Sequence, residues 1–285
     1  MTPTSHPLTR QSPGLPAPAK PEHDGTVPEL SRASVLDVPL AVGRYEDVMD
    51  WMDAMIATDQ RVSISAAAVH VVMVAREDPE THAALMNTMT VPDGQPLVWA
   101  LRALGHPEAS RIYGPELMAR YCERAAAGGQ RMYLYGGRNQ GALVQLVLNL
   151  RQRYPGLIIA GGYSPPFRPQ TDEERDAIVA EINGSGADVV WVGTGQPKQE
   201  KWMAEMRDRL DVPILAGVGA AFDFHAGLVP QAPAWMQAGG LEWTYRLAHE
   251  PRRLWRRYAR YNPRFVSGFA KQYASHRLHA ARSDQ

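Results

Sequence analysis

The stretch GTGQPKQEKW at 193–202 gathers Gln196, Lys198, Gln199 and Glu200 into one turn. That is more donors and acceptors than a tight connection needs for its own backbone. The turn follows the apolar run ADVVWV at 187–192, which reads as a buried parallel strand, and precedes a helix expected over 200–210. Open α/β sheets bind ligands at the carboxyl ends of such strands. Glycines let a ligand approach the main chain, and the N-terminus of the next helix favours anions. The implied chemistry is a site for a polar, phosphorylated ligand of unspecified identity.

Two carboxylates stand in comparable turns. Asp93 lies in VPDGQP, where two prolines and a glycine fix the backbone around one acid. Such rigid flanks suit a general base, although turn carboxylates commonly serve only as caps or Asx turns. Asp223 lies in GVGAAFDF, just past an expected strand over 213–218. It reads equally as a capping residue or as a ligand contact. The Gly136-Gly137-Arg138 turn could hold a phosphate, but it lacks GxGxxG spacing and so is not a dinucleotide fingerprint.

The second chemical feature is basic. Between 246 and 264 the chain carries Arg246, Arg252, Arg253, Arg256, Arg257, Arg260 and Arg264 against the single acid Glu250. At helical pitch Arg246, Arg253, Arg257 and Arg260 share a face. A solvated basic face is the plain reading. The use of arginine throughout favours bidentate phosphate recognition, and the interleaved Trp and Tyr favour an interfacial position. No acidic pair sits at a strand end and the nine histidines are scattered, so neither a metal nor any other cofactor is expected.

These groups need a scaffold, and the apolar periodicity supplies one. Strands expected at 131–135, 157–160, 188–193 and 213–218 alternate with helices at 139–154, 172–183 and 200–210. That alternation means a parallel sheet wound on both faces. Upstream, a strand over 35–42, a helix over 45–58, a strand over 61–65 and helices over 69–75, 79–89, 97–104 and 115–127 are expected. The expected organisation is a Pro/Ser-rich disordered tail (1–31), an α/β core (32–231), an Arg- and aromatic-rich helical appendage (232–275) and a flexible tail (276–285). The 30 basic and 30 acidic residues balance, so no global field draws the chain to nucleic acid or an anionic membrane. One cysteine, Cys122, excludes an internal disulfide framework. No run reaches the ~20 apolar residues of a membrane span, and the N-terminus lacks the apolar segment of a secretory signal.

Laid out in order, VPDGQPLVWA from Val91, RIYGPEL from Arg111, YLYGG from Tyr133, GTGQPKQEKWM from Gly193, GVGAAFDFHAG from Gly217, QAPAWMQ from Gln231 and GLEWTYRLAHEPRRLWRRY from Gly240 resemble the bacterial WecG/TagA/CpsF glycosyltransferases. The likeness covers about 36–265, and its wording is most similar to the exopolysaccharide-cluster branch. It implies a Rossmann-like α/β core with a helical appendage. It further implies inverting, metal-independent transfer of a sugar from a UDP-sugar to a polyprenyl-diphosphate-linked acceptor at the cytoplasmic membrane face. By resemblance, Asp93 is the base, Gln199 and Asp223 belong to the pocket, and Arg246, Arg253 and Arg256 close over the nucleotide diphosphate. One position departs from the pattern. Where the family often carries Thr and Asn before the first core helix, this chain reads Ser65-Ala66-Ala67-Ala68-Val69-His70. The Asn position falls on Ala68, which leaves Ser65 or His70 as the nearest polar substitutes.

Rival readings come from other classes. A non-catalytic sugar-nucleotide-binding or scaffold component of a polysaccharide assembly complex is the main one, supported by Ala68 and opposed by the retained Asp93, Gln199, Asp223 and arginines. A nicotinamide oxidoreductase lacks its fingerprint, and a nucleic-acid binder lacks the charge. The donor sugar, the acceptor linkage and homo-oligomer formation are left open by the sequence.

Overall fold

The computed structural model describes residues 28–233, 235–236 and 239–283. Residues 1–27, most of the expected N-terminal tail, lie outside them. Eight strands are found: β1 (Arg32–Val35), β2 (Val38–Ala41), β3 (Val62–Ala67), β4 (Met89–Pro92), β5 (Arg131–Gly136), β6 (Ile158–Tyr163), β7 (Val189–Gly193) and β8 (Ile214–Gly217). They form one sheet in the order β1-β2-β4-β3-β8-β7-β5-β6. It is a mixed, mostly parallel sheet, with β1 antiparallel to β2. The helices are α1 (Tyr45–Ala57), α2 (Val69–Ala75), α3 (Pro79–Met86), α4 (Gln95–Ala103), α5 (Gly114–Gly128), α6 (Gln140–Arg153), α7 (Asp172–Gly184), α8 (Lys198–Met206), α9 (Ala221–His225), α10 (Glu242–His249) and α11 (Pro251–Ser283). The fold is α/β and Rossmann-like, as the alternation predicts.

Two compact units are drawn from interleaved stretches of chain. The first takes Tyr45–Ser65 and Gly114–Pro230. The second takes Leu30–Arg44, Ala66–Tyr113 and the described residues from Gln231 onward.

In the first unit the interior strand β7 is buried on both faces, which is why Val189-Val190-Trp191-Val192 is a continuous apolar run. Tyr133, Val190, Val192 and Leu215 form a core with Ile178 and Ile182 of α7 and Met203 and Met206 of α8. Fully burying each such side chain contributes about 1.5–3 kcal/mol. Helix starts follow from local chemistry. Thr171 and Glu174 make a reciprocal capping box at α7, and the Asn139 side chain accepts from the Ala142 amide at α6. Parallel register then aligns strand ends. Ser65 pairs with Gly217, Val192 with Gly217, and Gly136 with Gly193.

In the second unit the expected single strand over 35–42 is two strands. Leu36 and Asp37 adopt φ of 51° and 68°, a turn that folds β1 back on β2. Asp37 tolerates that region but Leu36 does not favour it, so the sequence carries only a weak turn signal there. The helix expected over 79–89 ends at Met86, and Met89–Pro92 becomes β4, with Thr90 opposite Leu40 of β2. Sheet pairing overrides the helical periodicity at its last turn. Val35, Leu40, Val71, Val72, Leu85, Leu97 and Leu101 pack with Phe265 of α11. α10 and α11 belong to this unit together with the segments 30–44 and 66–113, and α11 runs on through Ser283, past the 275 boundary expected for the helical segment. Arg260 and Arg264 both pair with Glu77.

Candidate functional site

Asp93 is delivered by β4, whose last residue is Pro92. Its own amide donates to the Ala67 carbonyl at 3.0 Å, and the Ile112 amide donates to the Pro92 carbonyl at 2.9 Å. Gly94 then caps α4 with extended backbone and no side-chain cap. The turn is therefore pinned from both sides by main-chain bonds, which leaves the Asp93 side chain with no structural duty in the turn.

Around that carboxyl the second unit assembles four polar side chains. The Arg111 guanidinium donates through Nε to the Asp93 backbone carbonyl at 2.5 Å. Its Nη2 lies 3.5 Å from Asp93 Oδ1 and 2.6 Å from Glu242 Oε2. Tyr113 donates its hydroxyl to Glu242 and lies under the Arg111 guanidinium, 4.4 Å from ring centroid to Cζ. Arg246 contributes a further positive field on Asp93. Asp93 keeps 22 % of its side-chain surface open to solvent and is otherwise walled by protein. Burial pushes its pKa up to about 6. Arg111 opposes that rise, Glu242 adds to it, and Arg246 opposes it again. Burial, then the negative charge of Glu242, moves the Tyr113 hydroxyl further from ionising. The arrangement leaves a partly open carboxylate titrating near neutrality, the property a general base needs.

Gln199 and Asp223 belong to the first unit. Gln199 is fully buried. Its Oε1 accepts from the Gly219 amide at 2.9 Å, and its Nε2 donates to Glu200 Oε1 at 2.9 Å. Glu200, also fully buried, accepts on the same oxygen from Ser65 Oγ at 2.7 Å and Gln196 Nε2 at 3.1 Å. Burial raises the Glu200 pKa, while the Ser65, Gln199 and Gln196 hydrogen bonds oppose that. Ser65 thus donates its hydroxyl proton to Glu200 inside this unit. Ala68 itself is the N-cap of α2 and makes no side-chain cap bond. Asp223 sits in the short helix α9 and receives Arg138 in a fork, 2.9 Å from Nε to Oδ1 and 3.1 Å from Nη2 to Oδ2.

The glycines in this region do something the sequence did not suggest. A Cβ on Gly193 would lie 2.5 Å from Cγ of Phe222, and one on Gly217 would lie 2.8 Å from Nε2 of Gln199. They make room for protein side chains. Phe222 and Gln199 fill that space, which seats the starts of α9 and α8, the helices that carry Asp223 and Glu200, against the strand ends.

Among the arginines expected to face a diphosphate, Arg246 on α10 stands near Asp93. Arg256 is exposed on α11, with its guanidinium 5.6 Å from the Trp255 ring centroid. The side chain of Arg253 lies outside the described residues. Arg111 and Glu242 were not singled out in the sequence. Both stand in motifs that carried the resemblance, RIYGPEL and GLEWTYRL, but no spacing rule links residues 131 apart. Among the described residues no group of three or more His, Cys, Asp or Glu is placed to hold a metal ion, and no helix is long and apolar enough to cross a membrane.

Compared with known families, residues 33–279 match the Glycosyl transferase WecG/TagA/CpsF family. The match takes in β4, the Asp93 turn, the GTGQPKQEKW stretch, α10 and α11 as far as His279.

Proposed function

The chain belongs to the WecG/TagA/CpsF glycosyltransferase family, and from that premise we propose a single inverting displacement that moves a sugar from a UDP-sugar to a polyprenyl-diphosphate-linked acceptor. The sugar is a hexosyl or N-acetylhexosaminyl group, and the context is exopolysaccharide synthesis. Asp93 takes the proton of the acceptor hydroxyl as that oxygen attacks the anomeric carbon. The bond from the anomeric carbon to the diphosphate oxygen breaks, and UDP leaves with the electron pair. The observation that carries this reading is the Asp93 carboxyl, partly open and pushed up to about 6 by its burial. A base with that affinity is mostly ionised at neutral pH and is still basic enough to assist attack.

The leaving diphosphate needs positive partners, and the arginines of the appendage supply them, Arg246, Arg253 and Arg256 foremost. Gln199 supports the site by holding Gly219, and Asp223 together with Arg138 orients sugar hydroxyls. The acceptor is a lipid, and α11 exposes Trp255, Val266, Tyr273 and Leu278 beside its arginines. We place the protein peripherally on the inner face of the cell membrane, held by that helix.

The test is release of UDP from a panel of UDP-sugars in the presence of a polyprenyl-diphosphate-linked sugar. Acceptor-dependent release from one donor, lost in D93N, is the expected result. Donor binding with no release from any member of the panel would favour the scaffold reading instead.

A further inference from the structure

Glu242 is not needed to balance Arg111 if Asp93 alone were its partner, yet it takes the shorter of the two contacts. Its Oε2 lies 2.6 Å from Arg111 Nη2, against 3.5 Å for Asp93 Oδ1. Glu242 is 8 % exposed and is the first residue of α10, so it comes from the C-terminal segment. It also accepts the Tyr113 hydroxyl. Arg111, Tyr113 and Glu242 therefore form a closed set, and Asp93 touches it only through its main-chain carbonyl and a long contact.

We propose that Glu242 is a positioning residue that holds Arg111 away from the Asp93 carboxylate, so that the C-terminal segment sets how strongly Asp93 binds a proton. A guanidinium shared between two carboxylates neutralises each less than it would neutralise one. Were Arg111 free to fork onto Asp93, the carboxyl would be tied up in a bidentate pair and would be a weaker base. The charged and titratable groups facing Asp93 are Arg111 and Tyr113 from the segment after α4, and Glu242 and Arg246 from α10. Of these, Glu242 is the one whose charge raises the affinity of Asp93 for its proton while Arg111 and Arg246 lower it. The inference rests on Asp93 being the base.

The experiment is the pH dependence of turnover for the full-length chain and for E242Q, with D93N as reference. Gln keeps the shape and can still accept from Arg111, but it carries no charge. The acid limb of the profile is expected to move to lower pH by about half a unit to one unit, with a few-fold loss of turnover on the plateau. A purely structural role for Glu242 would lower turnover without moving the limb. E242D keeps the charge and withdraws it by one methylene. Its limb is expected between the other two, and it serves as the probe if E242Q does not fold. If D93N is inactive and a folded E242Q or E242D titrates like the parent protein, the positioning role is wrong and the base assignment survives. If D93N turns over normally, the base assignment fails and this inference fails with it.

Discussion

Arg111 grips Asp93 by its backbone carbonyl, at 2.5 Å, and leaves the carboxylate at 3.5 Å. The main-chain bond fixes where the turn lies. The long side-chain contact leaves the carboxyl able to exchange a proton. Position and reactivity of one residue are thus set by two different arms of the same guanidinium, with Glu242 occupying the arm that would otherwise neutralise Asp93.

That arrangement implies a cost in stability that can be measured. The folded protein binds a proton at Asp93 more tightly than the unfolded chain, about 6 against the ordinary 3.8. Stability therefore falls as pH rises through that window, because the native state holds the extra proton there. Replacing Asp93 with Asn removes the buried charge. Urea denaturation is expected to show D93N more stable than the parent by roughly 1–3 kcal/mol at pH 8, with the gap closing by about pH 4. Turnover should fall by about two to four orders of magnitude over the same range. A D93N protein less stable than the parent at pH 8 would contradict the raised proton affinity.

How much of this was legible beforehand depends on how far apart the interacting residues lie. The capping box of Thr171 and Glu174 spans three residues, and the cap of Asn139 on Ala142 spans three. Such patterns are local, as is the apolar periodicity from which α6 and α7 are expected. Apolar runs gave β5, β7 and β8 for the same reason. β4 is not legible because four residues, Met89-Thr90-Val91-Pro92, follow a helix with compatible spacing, and only pairing with its sheet neighbours makes them a strand. Asp93 itself was visible from its proline and glycine neighbours. Its partners were not, since Arg111 meets Glu242 across 131 residues. The fully buried amide of Gln199 looked like a ligand contact in sequence. In the fold it is spent on Gly219 and Glu200.

Arg111 should be irreplaceable by lysine. A single ammonium cannot reach the Asp93 carbonyl and Glu242 together, whereas the planar fork does both. R111K is expected to lose on the order of 10- to 100-fold in turnover through a misplaced base. Truncation in R111A leaves Asp93 and Glu242 enclosed without their cation, and a destabilisation of about 3–5 kcal/mol is expected by chemical denaturation. Turnover of R111K within twofold of the parent would show that the fork is dispensable.

Gly193 offers a steric test of the first unit. Its backbone is not left-handed, and the nearest obstacle to alanine is the Phe222 ring, 2.5 Å from the added Cβ. Phe222 is 3 % exposed and neighbours Asp223 in α9. G193A is expected to cost about 1–3 kcal/mol as overpacking. Shrinking the ring should relieve it, so G193A/F222L should lose less stability than the two single changes summed. Thermal melts of the four proteins give the coupling, and strict additivity would show that the ring moves aside freely.

Ala68 is the place where adding a side chain should help. It is the N-cap of α2, with φ −85° and ψ 163°, the extended geometry from which a cap side chain reaches the first-turn amides. Alanine itself supplies no cap bond there. An asparagine oxygen there would add a cap acceptor facing the first turn of a seven-residue helix whose Val71 and Val72 are fully buried. A68N is expected to gain about 0.5–2 kcal/mol in denaturant midpoint analysis, with an unchanged dependence on denaturant concentration. Its effect on activity separates two roles for this position. If asparagine serves only as a cap, turnover and KM for the UDP-sugar stay within about twofold of the parent while stability rises. If the same amide also reaches substrate, KM falls, and the gain persists when the proteins are compared at a temperature where both are fully folded. A loss of stability in A68N would mean the amide cannot turn onto the first-turn donors and would remove the capping argument.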